Sequence, residues 1–247
     1  MDRYDVIEGR QPVIEFLKAG HPVNKVLIAK GNTHRALQQI TALAKEQGAA
    51  VQEVSKEQLD RMSSTGNHQG VIAQIAAVEY AELDDLLSAP RDPEWDPFLL
   101  VLDGLQDPHN LGSILRSAEA ARVSGVIIPK RRAVGVTPVV AKVSAGALSY
   151  VPVARVVNIA RTIEQLKEAG FWVVGADMDG ESCYSQNLKG PIALVIGSEG
   201  EGLSRLVKEN CDFLTRIPML GQINSLNAGV AAAVLMFEVV RQRTLDR

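Results

Sequence analysis

A chain of 247 residues with 46% apolar and 22% charged side chains is long enough for one large domain or two smaller ones. This balance excludes a largely disordered protein. The net charge of −3 does not exclude a nucleic-acid partner, because residues 79–97 carry seven acidic and only one basic side chain, whereas 1–78 and 98–247 are each slightly basic.

Residues 1–78 predict a small α/β domain. Segment 33–48 is its clearest helix, with Thr33 as a candidate N-cap and Gly48 just past its end. A glycine-containing loop at 65–70 precedes the last strand. The runs with strand composition are 25–29, 51–54 and 71–78.

Residues 79–97, EYAELDDLLSAPRDPEWDP, combine the acidic cluster with three prolines. This composition is typical of a linker. We therefore predict a boundary here, followed by a second domain at 98–247.

Residues 98–247 alternate short runs rich in Val, Ile and Leu with helical segments, which predicts a mostly parallel sheet with helices on both faces. Such sheets bind ligands beyond the carboxyl ends of their strands. The predicted strands are 97–104, 124–131, 148–156, 171–177, 191–200 and 213–219. The predicted helices are 110–123, 137–148, 158–169, 203–211 and 225–243.

The first strand-end loop leads into a helix that carries Arg116. Leu111, Ile114, Leu115, Ala118 and Ala121 fall on one buried stripe of this helix.

Arg116 lies to one side of the buried stripe. It is either a solvated charge paired with Glu119, three residues on, or a functional group. Asn110 is either the N-cap of this helix or a residue that faces a ligand. The basic run Lys130–Arg132, after the next strand, is either a solvated loop or a phosphate contact.

The second loop, ALVIGSEGEGLS at 193–204, is a glycine-rich turn with Glu199 and Glu201 inside it. Two carboxylates would repel a pyrophosphate, so a ligand without phosphates, and a cationic one, suits the turn better. Glycines serving only a tight turn are the alternative.

The third loop begins at Ile217 and leads into a long helix, with Ser225 or Asn224 as N-cap. Small residues at 228, 229 and 231–233 make the start of this helix narrow. It is a core helix, a dimer interface or the wall of a ligand site.

The remaining signals concern metals and location. Cys183, Cys211 and the four histidines lack metal-ligand spacing, so we expect no metal site. The N-terminal segment lacks the pattern of a signal peptide, and the apolar run 228–237 is about half the length of a membrane span. We expect a cytoplasmic protein with no membrane partner.

Three segments of the second domain together resemble the three motifs of the SpoU (TrmH-like) RNA 2′-O-ribose methyltransferases: NLGSILRSAEA, LVIGSEGEGLS and IPMLGQINSLNAGVAAAVLMFEVVRQR. Before them, VIEGRQPVIEFL and HQGVIAQ look like the N-terminal RNA-binding domain of the branch that methylates a guanosine of bacterial 23S rRNA. The resemblance runs through nearly the whole chain.

The resemblance implies a SPOUT-type domain whose sheet is tied into a trefoil knot, although base rates would exclude a knot. It also implies S-adenosylmethionine as cofactor, a 23S rRNA substrate and a homodimer formed through the last helix. The cofactor carries a sulfonium cation and no phosphate, which fits the acidic turn.

By motif matching, the resemblance places the catalytic functions at Asn110, Arg116, Glu199, Ser225 and Asn227. It places cofactor contacts at the backbone of Gly197, Ile217 and Leu226.

Arginine, with a pKa above about 12, is a poor general base at neutral pH. We therefore expect Arg116 to hold the target phosphate and stabilise the developing alkoxide, with the proton passing to phosphate or water. The alternatives are a tRNA substrate, an RNA-binding paralogue without catalysis, or a nucleotide-dependent Rossmann enzyme.

Overall fold

The computed structural model divides the chain into two compact units, Met1–Glu79 and Tyr80–Arg247. It describes residues 5–18, 23–32, 34–63, 66–75, 80–88, 92, 94–222 and 225–245.

The first unit is a four-stranded sheet with helices, as the alternation of its apolar runs predicts. Its strands are β1 (Asp5–Glu8), β2 (Lys25–Ala29), β3 (Ala50–Val54) and β4 (Val71–Ile75), in the order β1-β4-β2-β3. Its helices are α1 (Arg10–Lys18), α2 (Arg35–Glu46) and α3 (Lys56–Met62). His34 caps α2 by accepting a hydrogen bond from the backbone of Ala36, whereas the predicted cap, Thr33, lies outside the described residues.

The second unit contains a six-stranded, fully parallel sheet in the order β10-β8-β9-β5-β6-β7. Its strands are β5 (Phe98–Asp103), β6 (Gly125–Pro129), β7 (Val153–Val156), β8 (Trp172–Ser182), β9 (Ile192–Gly197) and β10 (Phe213–Arg216). Its helices are α4 (Leu83–Ser88), α5 (Pro108–Ala120), α6 (Pro138–Val143), α7 (Ile159–Glu168), α8 (Arg205–Asn210) and α9 (Ala228–Thr244). The α/β fold with a parallel sheet is confirmed.

Helices cover both faces of this sheet because its central strands are apolar at every position. Leu99 and Val101 of β5 share a core with Ile163 of α7 and Val207 of α8. The residues between them point to the opposite face. On that face α5 packs against α6 and α9.

The acidic segment 79–97 differs from the predicted linker, since its described residues belong to the second unit. Ala81 extends the sheet beside β7 by donating its N–H to the carbonyl of Val153 (2.9 Å). Leu86 of α4 is 6% exposed and lies in the core of the sheet domain. Acidic residues and prolines dominate the composition of this segment and so predict a linker. Its leucines nevertheless pack against the core and make the segment part of the domain.

The stripe predicted on α5 is confirmed, since all five of its apolar side chains are fully buried. The first alternative for Asn110, the N-cap of α5, is wrong, and so is the predicted N-cap of α9. Asp107 caps α5 through the N–H of His109, because Pro108 lacks an N–H and fits the first helical position. Asn227, rather than Ser225, caps α9, and Asn224 lies outside the described residues.

The run 228–237 lies in α9, as predicted, but it is covered on one side only. Val230 is 49% exposed and Phe237 is 47% exposed. Within the described part of the chain, no helix is long and apolar enough to cross a membrane.

Arg243, near the end of α9, is buried and ties this helix to the start of β5. Its guanidinium donates hydrogen bonds to the carbonyls of Asp96 (2.7 Å) and Gly190 (2.6 Å) and lies over the rings of Trp95 and Phe98. Burial lowers the pKa of Arg243 to about 10. The side chain therefore joins three segments that are distant in sequence.

We expect Arg243→Lys to destabilise the second unit by about 2–4 kcal/mol, because an ammonium cannot reach both carbonyls and remains buried without full compensation. Equilibrium denaturation measures the free energy of unfolding. Arg205→Lys is the control, since Arg205 is exposed and, among the described residues, pairs only with Glu209 on the same helix. Equal unfolding free energies for the two variants would contradict the role given to Arg243.

Candidate active site

The three strand-end loops that the sequence analysis singled out leave the same edge of the parallel sheet. β9 pairs with β5 in a register that sets Gly197 opposite Asp103, so the two strands end side by side. The loop after β5 leads to α5, and the loop after β9 contains the acidic turn. Because all strands run in one direction, β10 also ends at this edge and continues into the loop that begins at Ile217.

The acidic turn is held closed by its own backbone. Ser198 and Gly202 exchange two hydrogen bonds of 3.0 Å, so Glu199 and Glu201 are carried at the exposed tip between them. A Cβ on Gly197 would lie 2.1 Å from the carbonyl carbon of Gly202. Only glycine permits this close approach of two backbone segments.

A second contact, which the sequence did not predict, anchors the far side of the turn. The carboxylate of Asp103 accepts a hydrogen bond from the N–H of Ser204 (2.8 Å), across 101 positions of sequence. The only sequence feature that could have indicated this contact is an Asp at the end of a buried strand, as in LVLDG. Its partner depends on strand order, which the sequence pattern does not give.

Three of the predicted catalytic residues form one hydrogen-bonded network. The side-chain amide of Asn110 donates to the carboxylate of Glu199. The amide of Asn227 donates to the same Glu199 oxygen (2.9 Å) and to the side-chain oxygen of Asn110 (3.0 Å). We call these three residues the Asn–Glu–Asn network. Asn110 is 6% exposed, so burial makes its hydrogen bonds costly to lose.

Asn227 has two functions, one for the oxygen and one for the nitrogen of its side-chain amide. The oxygen accepts hydrogen bonds from the N–H groups of Gly229 (3.0 Å) and Val230 (3.2 Å) and so caps α9. The nitrogen joins the network. Gly229 lets α9 approach α5 closely, since a Cβ there would lie 2.7 Å from the hydroxyl oxygen of Ser113. The close packing predicted from the small residues is therefore present.

We expect Asn227→Ser to retain the stability of α9 within about 1 kcal/mol, since serine also caps helices. It should still slow turnover by tenfold or more, because a serine hydroxyl cannot reproduce the amide that donates to both Asn110 and Glu199. Thermal unfolding measures the first effect, and the steady-state rate of methyl transfer, the reaction that the resemblance implies, measures the second. Asn227→Ala, which loses both functions, should reduce stability and turnover together. Full turnover in the serine variant would show that the network is dispensable.

Arg116 lies outside this network. It is exposed on α5, six residues and about 9 Å along the helix axis from Asn110. The alternative pair with Glu119 is not formed, and no described residue hydrogen-bonds or ion-pairs with its side chain. Ser225 is also exposed, two residues before Asn227, and has no hydrogen bond to a described residue.

The predicted cofactor positions lie at or after the ends of β9 and β10, and two of them have backbone groups without a partner among the described residues. Gly197 ends β9, half-buried Ile217 follows β10, and Leu226 is 39% exposed. The N–H and C=O of Ile217 and Leu226 have no hydrogen-bond partner among the described residues. These groups are available to bind a ligand.

The two cysteines do not supply a nucleophile. Burial raises the pKa of Cys211 to about 12, and burial also raises the pKa of Cys183. Both thiols are therefore protonated at neutral pH, whereas the thiolate is the reactive form. Among the described residues, no group of His, Cys, Asp and Glu side chains is arranged to hold a metal ion.

Comparison with known families decides the class of protein. The model of the SpoU rRNA Methylase family matches residues 97–237, and the model for RNA 2′-O ribose methyltransferase substrate binding matches residues 6–81. The chain belongs to the SpoU methylase family. It is thus an RNA methyltransferase, as the resemblance implied, and the alternative of a nucleotide-dependent Rossmann enzyme is wrong.

Relatives of this SpoU methylase match over nearly its whole length. A putative TrmH family tRNA/rRNA methyltransferase, YacO, from Bacillus subtilis is 53% identical over 243 residues, which are 98% of this chain and 97% of the relative. A putative TrmH family tRNA/rRNA methyltransferase from Staphylococcus haemolyticus is 51% identical over 239 residues, with 96% of each chain covered.

Solved structures resemble the SpoU methylase in both units. The AdoMet-bound rRNA methyltransferase from Sinorhizobium meliloti has a TM-score of 0.62 at 27% identity, covering 97% of this chain and 87% of that one. The SpoU methyltransferase AviRb from Streptomyces viridochromogenes, in complex with AdoMet, has a TM-score of 0.63 at 27% identity, covering 97% and 90%.

Proposed function

We propose that this SpoU methylase transfers a methyl group from S-adenosylmethionine to the ribose 2′-hydroxyl of a guanosine in 23S rRNA. The observation that supports this proposal most directly is the Asn–Glu–Asn network, which joins the three motifs at one edge of the sheet. 2′-O-ribose methylation is typical of the family. The S-adenosylmethionine complexes of the structural neighbours support the choice of cofactor.

The residues at this edge fit S-adenosylmethionine. When bound, it supplies an electrophilic methyl group on a sulfonium cation. The carboxylate of Glu199 at the exposed turn offers the opposite charge, and the free backbone groups of Ile217 and Leu226 can bind the adenosine. Exposed apolar side chains in the same loop, Met219 and Leu220, offer cover for an adenine ring.

The Asn–Glu–Asn network has a positioning function in this proposal. It fixes the acidic turn against the start of α9, so that Gly197 and Leu226 keep a constant separation. Alignment of two reactants contributes up to roughly 7–11 kcal/mol to lowering a barrier when their geometry is ideal. Ser225, directly before Leu226, is free to bind ligand rather than to support the fold.

Arg116 is the residue that we assign to the ribose and its phosphate. Arginine is a poor general base, so we do not assign it that role. It holds the target phosphate and stabilises the developing alkoxide, and the hydroxyl proton passes to phosphate or water. The absence of a described partner leaves all its donors available for RNA.

The substrate is held by both domains in this proposal. Residues 1–78 bind the RNA, in agreement with the substrate-binding model that matches residues 6–81. Two chains associate through α9, whose exposed Val230 and Phe237 need cover. A cytoplasmic location, the trefoil knot and the exact domain boundaries remain predictions.

A tRNA substrate is the second candidate, because the names of the relatives include both tRNA and rRNA. Mass-spectrometric mapping of ribose methylation, in rRNA and tRNA from cells with and without the gene, tests the proposal. Loss of a single 2′-O-methylguanosine from 23S rRNA is the expected result. Loss of a tRNA methylation instead would overturn the rRNA assignment. Calorimetry should show binding of S-adenosylhomocysteine but not of NAD or ATP.

A further inference from the structure

The run Lys130-Arg131-Arg132, which we call the basic loop, follows β6 at the same edge of the sheet as the acidic turn. All three side chains are exposed. No described carboxylate lies within ion-pair distance of any of them, whereas Lys167, Arg205 and Lys208 of the same unit each pair with an acid. Three adjacent cations are therefore left without partners among the described residues, in a chain of net negative charge.

The backbone around the basic loop is fixed, although its side chains are free. Hydrogen bonds tie it to β7, to the loop after β5 and to Tyr80. They are Lys130 N to Val156 O (2.7 Å), Arg155 Nη2 to Lys130 O (3.0 Å), Val134 N to Leu105 O (2.8 Å) and Val136 N to Tyr80 Oη (2.9 Å). The Arg155 guanidinium also stacks on the Tyr80 ring at 4.9 Å. Such anchoring lowers the ordering cost of binding a ligand.

Arg132 adds a local conformational strain. Its φ is +57°, in the left-handed region that glycine and asparagine adopt at lower cost. A loop selected only for stability would favour one of those residues here. Strained positions of this kind concentrate at ligand-binding sites.

The basic loop lies beside the candidate active site. A Cβ on Gly104, at the end of β5, would lie 3.9 Å from the carbonyl oxygen of Arg132 and 3.8 Å from the Cβ of Ser198. The edge is therefore polarised, with three cations on the β6 side and the carboxylates of Glu199 and Glu201 on the β9 side. This charge distribution suits an anionic ligand and a cationic ligand side by side.

We propose that the basic loop binds the phosphodiester groups of the RNA strand next to the target nucleotide. This inference rests on the proposed function, and it assigns the RNA backbone to the β6 side of the site and the cofactor to the β9 side. Guanidinium groups bind phosphate oxygens in pairs, so Arg131 and Arg132 orient the strand as well as attract it.

The test is the triple variant Lys130→Gln/Arg131→Gln/Arg132→Asn in the full-length protein. Asparagine is used at position 132 because it tolerates the left-handed backbone. The control Arg122→Asn/Lys167→Gln/Lys189→Gln also removes three cations, but near the amino ends of the strands. Asparagine is used at position 122 as well, because the φ of Arg122 is +55°. Affinity for transcribed 23S rRNA and for bulk tRNA is measured from 50 to 300 mM KCl, and affinity for S-adenosylhomocysteine by calorimetry.

We expect the triple variant to bind RNA about tenfold or more weakly and to reduce the slope of log affinity against log salt by about 2 to 3, as for the loss of three phosphate contacts. Its affinity for S-adenosylhomocysteine should stay within twofold of the parent value. The control should keep the parent salt slope. Arg131→Lys/Arg132→Lys, which conserves the charge, should keep the slope as well.

The outcomes separate this inference from the proposed function. A parent slope and parent affinity in the triple variant overturn the inference, even where the rRNA assignment holds. If the parent protein binds tRNA and not 23S rRNA, and the triple variant loses slope on tRNA, the inference stands and the rRNA assignment fails. A triple variant that also loses S-adenosylhomocysteine binding contradicts the separation of the two sides.

Discussion

Arg116→Ala is expected to slow single-turnover methyl transfer by about 10²–10³-fold, the usual effect of removing one donor that stabilises a developing oxyanion. The fold should not change, because Arg116 is exposed and contacts no described partner, while the neighbouring Leu115 and Leu111 are fully buried. The affinity for S-adenosylhomocysteine should also stay close to the parent value. Rapid-quench assays with excess enzyme measure the rate, and calorimetry measures the affinity.

Two further variants define what Arg116 does. Arg116→Lys retains the charge and loses the planar pair of donors, so an intermediate rate is expected if phosphate is bound in bidentate form. Glu119→Gln, one turn further along α5, is the control and should retain the parent rate. Full activity in Arg116→Ala would remove this residue from the mechanism.

The sequence predicts local structure well where one face of an element decides its packing. The apolar stripe of α5 has helical spacing, and its residues are all buried. The apolar strands β5 and β9 are buried along nearly their whole length, as expected for a sheet covered on both faces. In each of these elements, the spacing of apolar residues that are close in sequence is enough to predict which side chains are buried.

The sequence predicts less well where two signals compete. Asn110 is a good cap residue, but Asp107 followed by Pro108 starts the helix three residues earlier. Composition marks 79–97 as a linker, but Leu86 decides its packing. In the first case the structure uses Asn110 in the Asn–Glu–Asn network instead of as a cap. In the second, one buried side chain outweighs the composition of the segment.

The contacts of the site require information that periodicity does not contain. Asn110 and Glu199 are 89 positions apart and meet only because β9 is placed next to β5. The resemblance supplied the residues, but neither their network nor the anchoring of Ser204 by Asp103. These contacts depend on strand order, which a single sequence leaves open.

Gly197→Ala is expected to weaken S-adenosylhomocysteine binding by about 100-fold or more, because the turn cannot stay closed around a methyl group. The added Cβ would lie 2.1 Å from the carbonyl carbon of Gly202 and 2.4 Å from the nitrogen of Leu203. These contacts are with backbone, so a rotamer change cannot relieve them. Opening the turn breaks the pair of hydrogen bonds between Ser198 and Gly202, and Glu199 then moves away from its two asparagine donors.

The same change should lower the free energy of unfolding by about 1–3 kcal/mol, as overpacking at a tight contact does. Gly221→Ala is the matched control in the neighbouring loop, since a Cβ there meets no atom within 4 Å and the backbone is not left-handed. It should bind S-adenosylhomocysteine with an affinity near that of the parent. The change in affinity tests whether the turn binds the ligand, and the change in unfolding free energy tests whether it stabilises the fold. If Gly197→Ala lost stability but kept its affinity, the closed turn would serve the fold alone and the cofactor would have to bind elsewhere on this edge.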